Sequence, residues 1–213
     1  MKNLLLILLV APLFGFSQVK ISVMFDIGMG GHLGQVVTKS KMGNQIFLSE
    51  QGNWKAPYSG FSIAPGIVYK NFLAAPGLSI NYQARSTKDN NREAFVEYDF
   101  FIMLRQRIGQ GKVKPLIDFK MGYASVRYTG GTLPPGVYVS DDIWKRHGLF
   151  IEPGIGVSFS EHPSINIKLC YRYENLKHNY RAAMTDSFGN PIGYSESWDY
   201  LNYILVKIGF QLN

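Results

Sequence analysis

Eight stretches of this chain alternate apolar and polar residues one for one. A period of two admits little besides β-strands, because successive side chains leave a strand on opposite faces. In "INIKLCYRYE", Ile165, Ile167, Leu169, Tyr171 and Tyr173 alternate with Asn166, Lys168, Cys170, Arg172 and Glu174. The same reading gives strands over Ile21–Gly31, Tyr58–Tyr69, Gly77–Ser86, Glu93–Ile108, Val113–Tyr128, Leu149–Ser160, Ser164–Lys177 and Trp198–Leu212, and no convincing helix. Phe101 and Met103 break the alternation. In the fifth strand the phase slips near Ser125, where a bulge is expected to restore it.

Each strand therefore has a greasy face and a polar face, and the fold turns on which of them is inside. If the greasy face pointed inward, roughly forty side chains, many aromatic, would have to fill one barrel, and eight strands enclose room for far fewer. Inverted, the greasy face coats the outer wall, and the polar face, rich in small residues such as Gly28, Gly66, Gly122, Gly154 and Gly209, lines a narrow lumen. A soluble two-sheet sandwich is the competing arrangement, but it has no need of alternating loop lengths and must protect its edges. Here the connections after strands two, four and six are tight ("KNFLAAP", "GQGK", "EHPS"), and those after strands one, five and seven are long and polar. That asymmetry is typical of outer-membrane barrels. The expected fold is all-β: an eight-stranded antiparallel up-and-down transmembrane β-barrel with both mature termini on the periplasmic side.

The first residues fit this destination. "MKNLLLILLVAPLFGFSQ" has a basic Lys2, an apolar Leu4–Val10 and small Gly15 and Ser17 ahead of Gln18. This reads as a signal peptide over residues 1–17, too short for a stable span, with the barrel over 18–213. A buried N-terminal helix is the alternative. No Cys follows the apolar run, so no lipid anchor is expected. Past Gln18 no apolar run is long enough for a transmembrane helix. Cys170 is the single cysteine, which excludes an intrachain disulfide and reads as a free thiol on the polar face. The formal charge of +7 becomes +6 without Lys2. This suits a solvated basic surface or attraction to anionic lipid head groups. Nucleic acid is not an expected partner, because no recognition motif is present.

With the polar face inside, the charges on it form one set. Asp26, Glu97, Asp99, Asp118, Glu152 and Glu174 are matched in number by Arg85, Arg105, Lys120, Lys168, Arg172 and Lys207. Charges confined in a narrow space must pair, so a structural salt-bridge plug is expected, and a gated ion path is the alternative reading. Trp54, Trp144 and Trp198 each precede a strand descending from the long-loop end, where amphipathic rings favour the membrane interface. Tyr58, Phe61, Tyr82, Tyr98, Tyr171, Tyr173 and Tyr200 fall near the same end, and Tyr69, Phe159 and Phe210 near the other.

Three further features carry a resemblance: the leader ending "GFSQ", the "PGIG" strand, and the amphipathic final strand "LNYILVKIGFQLN". With them the chain resembles small outer-membrane barrels of the Bacteroidota type, porin-like or PorT-like, and more distantly the OmpA and OmpX barrels. The likeness is architectural and covers nearly the whole mature chain. It departs at the end, where such barrels often place an aromatic; here Leu212–Asn213 close the chain and Phe210 is the nearest candidate. "IAPGIV" (Ile63–Val68) and "IEPGIG" (Ile151–Gly156) echo each other, and each proline implies a bulge or a break in its ladder.

Chemistry is sparse. The "HPS" of His162–Ser164 has the His-x-Ser spacing seen in lipid A deacylase barrels but lies in a tight turn at the wrong end. His32, His147 and His178 fall near the long-loop end without paired metal-ligand spacing, and Asp141 and Asp142 are weak cation ligands. "GMGGHLG" matches no dinucleotide fingerprint. No cofactor, metal or catalytic residue is expected. The expected function is a non-enzymatic structural, adhesive or accessory barrel in the outer membrane. Its expected partners are outer-membrane lipids, lipopolysaccharide and another outer-membrane protein or complex. A narrow pore for small solutes, or a component of a secretion or assembly machine, is the alternative, ahead of a lipid A-modifying enzyme. "GQVVTKSKMGNQIFLSEQGNW" and "YRAAMTDSFGNPIGYSESW" are long enough to extend the barrel as hairpins.

Overall fold

The computed structural model describes residues 19–33, 35–42, 45–53, 57–86, 92–131, 145–159, 163–178, 182–185 and 191–212. They form β1 (Val19–His32), β2 (Gln35–Met42), β3 (Gln45–Asn53), β4 (Pro57–Tyr69), β5 (Phe72–Ser86) and β6 (Arg92–Arg107). β7 (Val113–Gly131), β8 (Arg146–Phe159), β9 (Ser164–His178), β10 (Ala182–Thr185) and β11 (Pro191–Leu212) follow. Eight of them, β1, β4 to β9 and β11, pair antiparallel in chain order. β11 then returns to β1, with Phe25 opposite Phe210 and Ile27 opposite Ile208, and the sheet closes. Closure excludes the sandwich.

The wall is inside out relative to a soluble protein. Ile27, Ile80, Phe100, Ile102, Ile117, Ile155, Leu169 and Val206 are exposed, while Asp26, Glu97, Arg105, Lys120 and Arg172 are buried. A closed barrel satisfies its backbone internally, and an apolar exterior is the surface a hydrocarbon solvent requires. The chain is an outer-membrane β-barrel. Val19 and Leu212 lie at the short-turn rim, which in such barrels is periplasmic.

Five details differ from the sequence reading or sharpen it. The connection after β4 is not "KNFLAAP" but two residues, Lys70–Asn71, between the paired Tyr69 and Phe72. Lys70 takes φ 55°, the left-handed conformation a two-residue hairpin demands, and β5 starts five residues earlier than expected. The bulge expected near Ser125 lies further along β7: Lys120, Ala124 and Val126 stay in one inward phase, and the register shift between Ala94 and Phe95 of β6 passes over Thr129. The prolines break ladders without shifting register. Pro65 faces Pro76 between the pairs Ile63–Leu78 and Ile67–Ala74, and Pro153 falls between Ile151–Tyr173 and Gly154–Cys170. Tyr58 belongs to the lumen, not to the outer girdle, being 1% exposed.

The fifth difference is at the long-loop rim. β11 begins at Pro191, seven residues before Trp198. Its first part pairs with β10 on one side and, over Ser195–Tyr200, with β2 on the other. β2 in turn pairs with β3 from Val36–Gln51 to Met42–Gln45. A four-stranded sheet, β3–β2–β11–β10, thus rises from the barrel on the same strand that closes it. The two long loops extend the barrel as hairpins, as their length suggests.

Candidate functional site

The lumen is the best-defined polar site, and all eight barrel strands supply it. Inward positions recur every second residue, so Glu97, Asp99 and Arg105 of β6, Asp118 and Lys120 of β7, and Lys168, Arg172 and Glu174 of β9 project into one space. Asp26 comes from β1, Glu152 from β8 and Lys207 from β11. All eleven are buried. Arg85, the twelfth residue of the expected set, pairs through its backbone with Glu93, and its side chain lies outside the described residues.

The charges form two linked tiers. Nearer the short-turn end, Asp26 and Asp118 share three cations. Lys168 is 2.9 Å from Asp26 and 2.6 Å from Asp118. Lys120 is 2.9 Å from Asp26, and Arg105 is 2.6 Å from Asp118. Above them Arg172 is a hub. Its Nη2 is 2.5 Å from Glu97, its Nη1 is 2.9 Å from Asp99 and 3.4 Å from Glu152, and its Nε donates to Glu174. Lys207 reaches Glu152 at 2.5 Å, and Glu152 stands opposite Lys120 in the β7–β8 register, where the two tiers meet. Arginine suits the hub because its planar fork donates in several fixed directions at once. In this set six carboxylates face five cations. Neutral donors from β5 complete the shell: Asn81 donates to Glu97 at 2.8 Å and to Asp99 at 2.8 Å, Gln83 to Glu97 at 2.6 Å, and Ser79 to Asp99 at 2.5 Å.

Over the upper tier lies an apolar layer that the sequence reading missed. Phe95, Val126, Leu176 and Leu201 are fully buried, and Tyr58 and Tyr203 meet with ring centroids 5.0 Å apart. Tyr203 donates to Gln83 at 3.1 Å, and the Arg172 guanidinium lies 3.8 Å from the centre of the Phe150 ring. Strict parity could have found this layer, since Leu201 and Tyr203 share the phase of Lys207. At the mouth Arg146 is 2.5 Å from Asp199, and His178 is 3.0 Å from the same carboxylate. A lumenal void bordered by Asp26, Gly28, Gly60, Asn81 and Lys207 has a volume of about 10 Å³, room for one water molecule. Chemically this is a filled core in which each of these charges touches an opposite one.

The other candidates disperse. Trp54 and Trp144 lie outside the described residues, as do Asp141, Asp142, His162 and residues 1–17. Trp198 is described, under the ammonium of Lys177 at 5.3 Å. His32 accepts the backbone N–H of Asn202 at 3.3 Å, His147 lies against Tyr123, and His178 engages Asp199. Among the described residues no cluster of His, Cys, Asp and Glu could hold a metal ion. Ser164 is buried at the short-turn rim, and Cys170 is buried in the lumen wall.

No protein-family model and no curated protein matches the chain. Solved structures share its fold. Neisserial surface protein A is 13% identical, with 88% of this chain and 97% of that one covered and a TM-score of 0.39. The N-terminal β-barrel domain of Pseudomonas aeruginosa OprF is 9% identical over 92% of this chain and 100% of that one, with a TM-score of 0.37. The outer-membrane enzyme PagL is 11% identical over 88% and 99%, with a TM-score of 0.34. At these identities and TM-scores the likeness carries no functional conclusion.

Proposed function

We propose that this chain is a non-enzymatic outer-membrane barrel, exported by its first 17 residues, that works through its outer surface as a structural, adhesive or accessory subunit. The Bacteroidota-type, porin-like or PorT-like affinity belongs to the same reading. The observation that carries it is the filled lumen: where side chains pack the described part of the lumen, the wall and the outer sheet are left to work with. The β3–β2–β11–β10 sheet supports the reading, because a sheet standing beyond the membrane offers strand edges to another chain. The test has three arms. In planar bilayers the refolded barrel should give no conductance steps; a steady conductance overturns the reading in favour of a pore. Lipid A from cells with and without the gene should have the same mass; a shift makes the chain an enzyme. Cross-linking in native membranes should capture a partner through the outer sheet, and capture confined to bulk lipid refutes the accessory role.

A further inference from the structure

One row of the sheet crosses the outer wall just above the apolar band. Register places Ser125 opposite His147, His147 opposite Lys177, Lys177 opposite Trp198, and Trp198 opposite Lys39. Paired residues share a face, and the row continues the outward phase of Tyr123, Leu149, Tyr171 and Ile204, so it faces outward. Neighbouring strands are about 4.8 Å apart, so Lys177 and Lys39 flank Trp198 at roughly 10 Å. Arg127, exposed, stands one step higher on β7.

The height of this row identifies what it meets. Lys177 is twelve residues above Ile165, the lowest exposed apolar residue of β9. At about 3.3 Å per residue and a tilt near 40° that is roughly 30 Å along the axis, against an apolar band of about 25 Å. The row therefore lies in the head-group layer of the outer leaflet. Directly beneath it Tyr173 and Tyr200 stack at 6.5 Å, and Tyr171 donates to Asn202 at 2.5 Å, forming an aromatic shelf at the top of the band. Glu196 takes one donor of Lys177 at 3.2 Å, and an ammonium has three.

We propose that Lys39, Lys177 and Trp198 form a binding site for the phosphorylated head group of an outer-leaflet glycolipid, with its acyl chains running down the Tyr173–Tyr200 wall. The two ammonium groups hold phosphate oxygens, and the indole packs against the sugar. The proposal does not depend on the absence of enzymatic activity.

The test uses the mature chain carrying Trp54→Phe and Trp144→Phe, so that Trp198 alone reports. Refolded in detergent, it is titrated with lipid A, with dephosphorylated lipid A and with phosphatidylglycerol. Lipid A should produce a saturable change in Trp198 fluorescence. Lys39→Gln and Lys177→Gln should each weaken binding about fivefold, and the pair about thirtyfold. Lys20→Gln, at the opposite rim, should leave binding unchanged. Variants are compared only when they keep the heat-dependent gel mobility of the folded barrel; Lys39→Arg with Lys177→Arg retains the charge and should bind within a few-fold of wild type. Equal affinity for dephosphorylated lipid A, an equal response to phosphatidylglycerol, or wild-type affinity in the double Gln variant would each overturn the site.

Discussion

Arg172→Met removes the hub of the lumen and tests whether that lumen is dry. The guanidinium contacts Glu97, Asp99, Glu152 and Glu174, all of them buried. With charge centres near 4 Å and an effective dielectric of about 20, each attraction is worth roughly 4 kcal/mol before desolvation and the mutual repulsion of the acids are subtracted. Removing the one cation these acids share leaves Glu97, Asp99 and Glu174 uncompensated, while Lys207 stays on Glu152. Breaking a buried pair from one side costs about 3–5 kcal/mol, and that is the expected loss. Arg172→Lys keeps the charge but forfeits the fork and the face of Phe150, so about 1–3 kcal/mol should go. Adding Glu97→Gln and Glu174→Gln to the Met variant should recover a substantial part of its loss, since the unpaired charges vanish. Urea titration of barrels refolded into phosphatidylcholine vesicles, followed by fluorescence and by gel mobility without boiling, measures all three variants against wild type. If Arg172→Met costs under about 1 kcal/mol, or the Gln pair rescues nothing, water reaches these charges and the filled-lumen argument fails.

The remaining expectations concern the wall. Ile167→Arg or Val206→Arg, on the lipid face, should cost about 2–4 kcal/mol in the same assay, and Asn166→Ser, inside, much less; equal tolerance would mean that the faces are misassigned. A Cβ on Gly122 would meet the Phe100 carbonyl oxygen at 2.1 Å, so Gly122→Ala should cost about 1–3 kcal/mol. At Gly28 the nearest atom is the flexible Lys207 Cγ at 3.0 Å, so Gly28→Ala should be milder, and a reversed order contradicts the packing. In the single-Trp variant, Trp198 should be quenched by shallow, head-group-level lipid labels; quenching by deep labels, or full access to an aqueous quencher, refutes its place at the outer interface.

The sequence made the two faces legible wherever one solvent, hydrocarbon, bathed the whole outside of a strand. In "INIKLCYRYE" alternation alone separates Ile167 from Lys168, and the structure keeps that division. Legibility failed where the solvent changes. Above the membrane the exterior is water, so Arg127 points outward while Val126 is buried, which reverses the polarity rule without altering the backbone. What reads as a slipped phase at Ser125 is that change of surroundings. The same reversal hid Tyr58 and the Phe95–Leu201 layer. The early start of β5 was masked by Pro76, which reads as a turn but faces Pro65 across an undisturbed register. The charge set followed from parity, but its partners did not: which carboxylates surround Arg172 depends on the stagger between strands, and alternation contains no information about stagger.

The length of β11 has a mechanical consequence. This single strand of 22 residues carries the outer sheet at one end and closes the barrel at the other. A pull on the sheet away from the cell is transmitted along the strand. There it loads the β9 ladder from Trp198 to Gln211 and the β1 ladder from Val23 to His32 together. Those hydrogen bonds lie across the strand, so tension along it shears them in parallel instead of peeling them one at a time. Two ladders must slide simultaneously before the anchor yields, and sliding would drag Lys207 away from Glu152 inside the lumen. The outer sheet is thus tethered by a shear joint that grips on both flanks, a construction suited to holding under load.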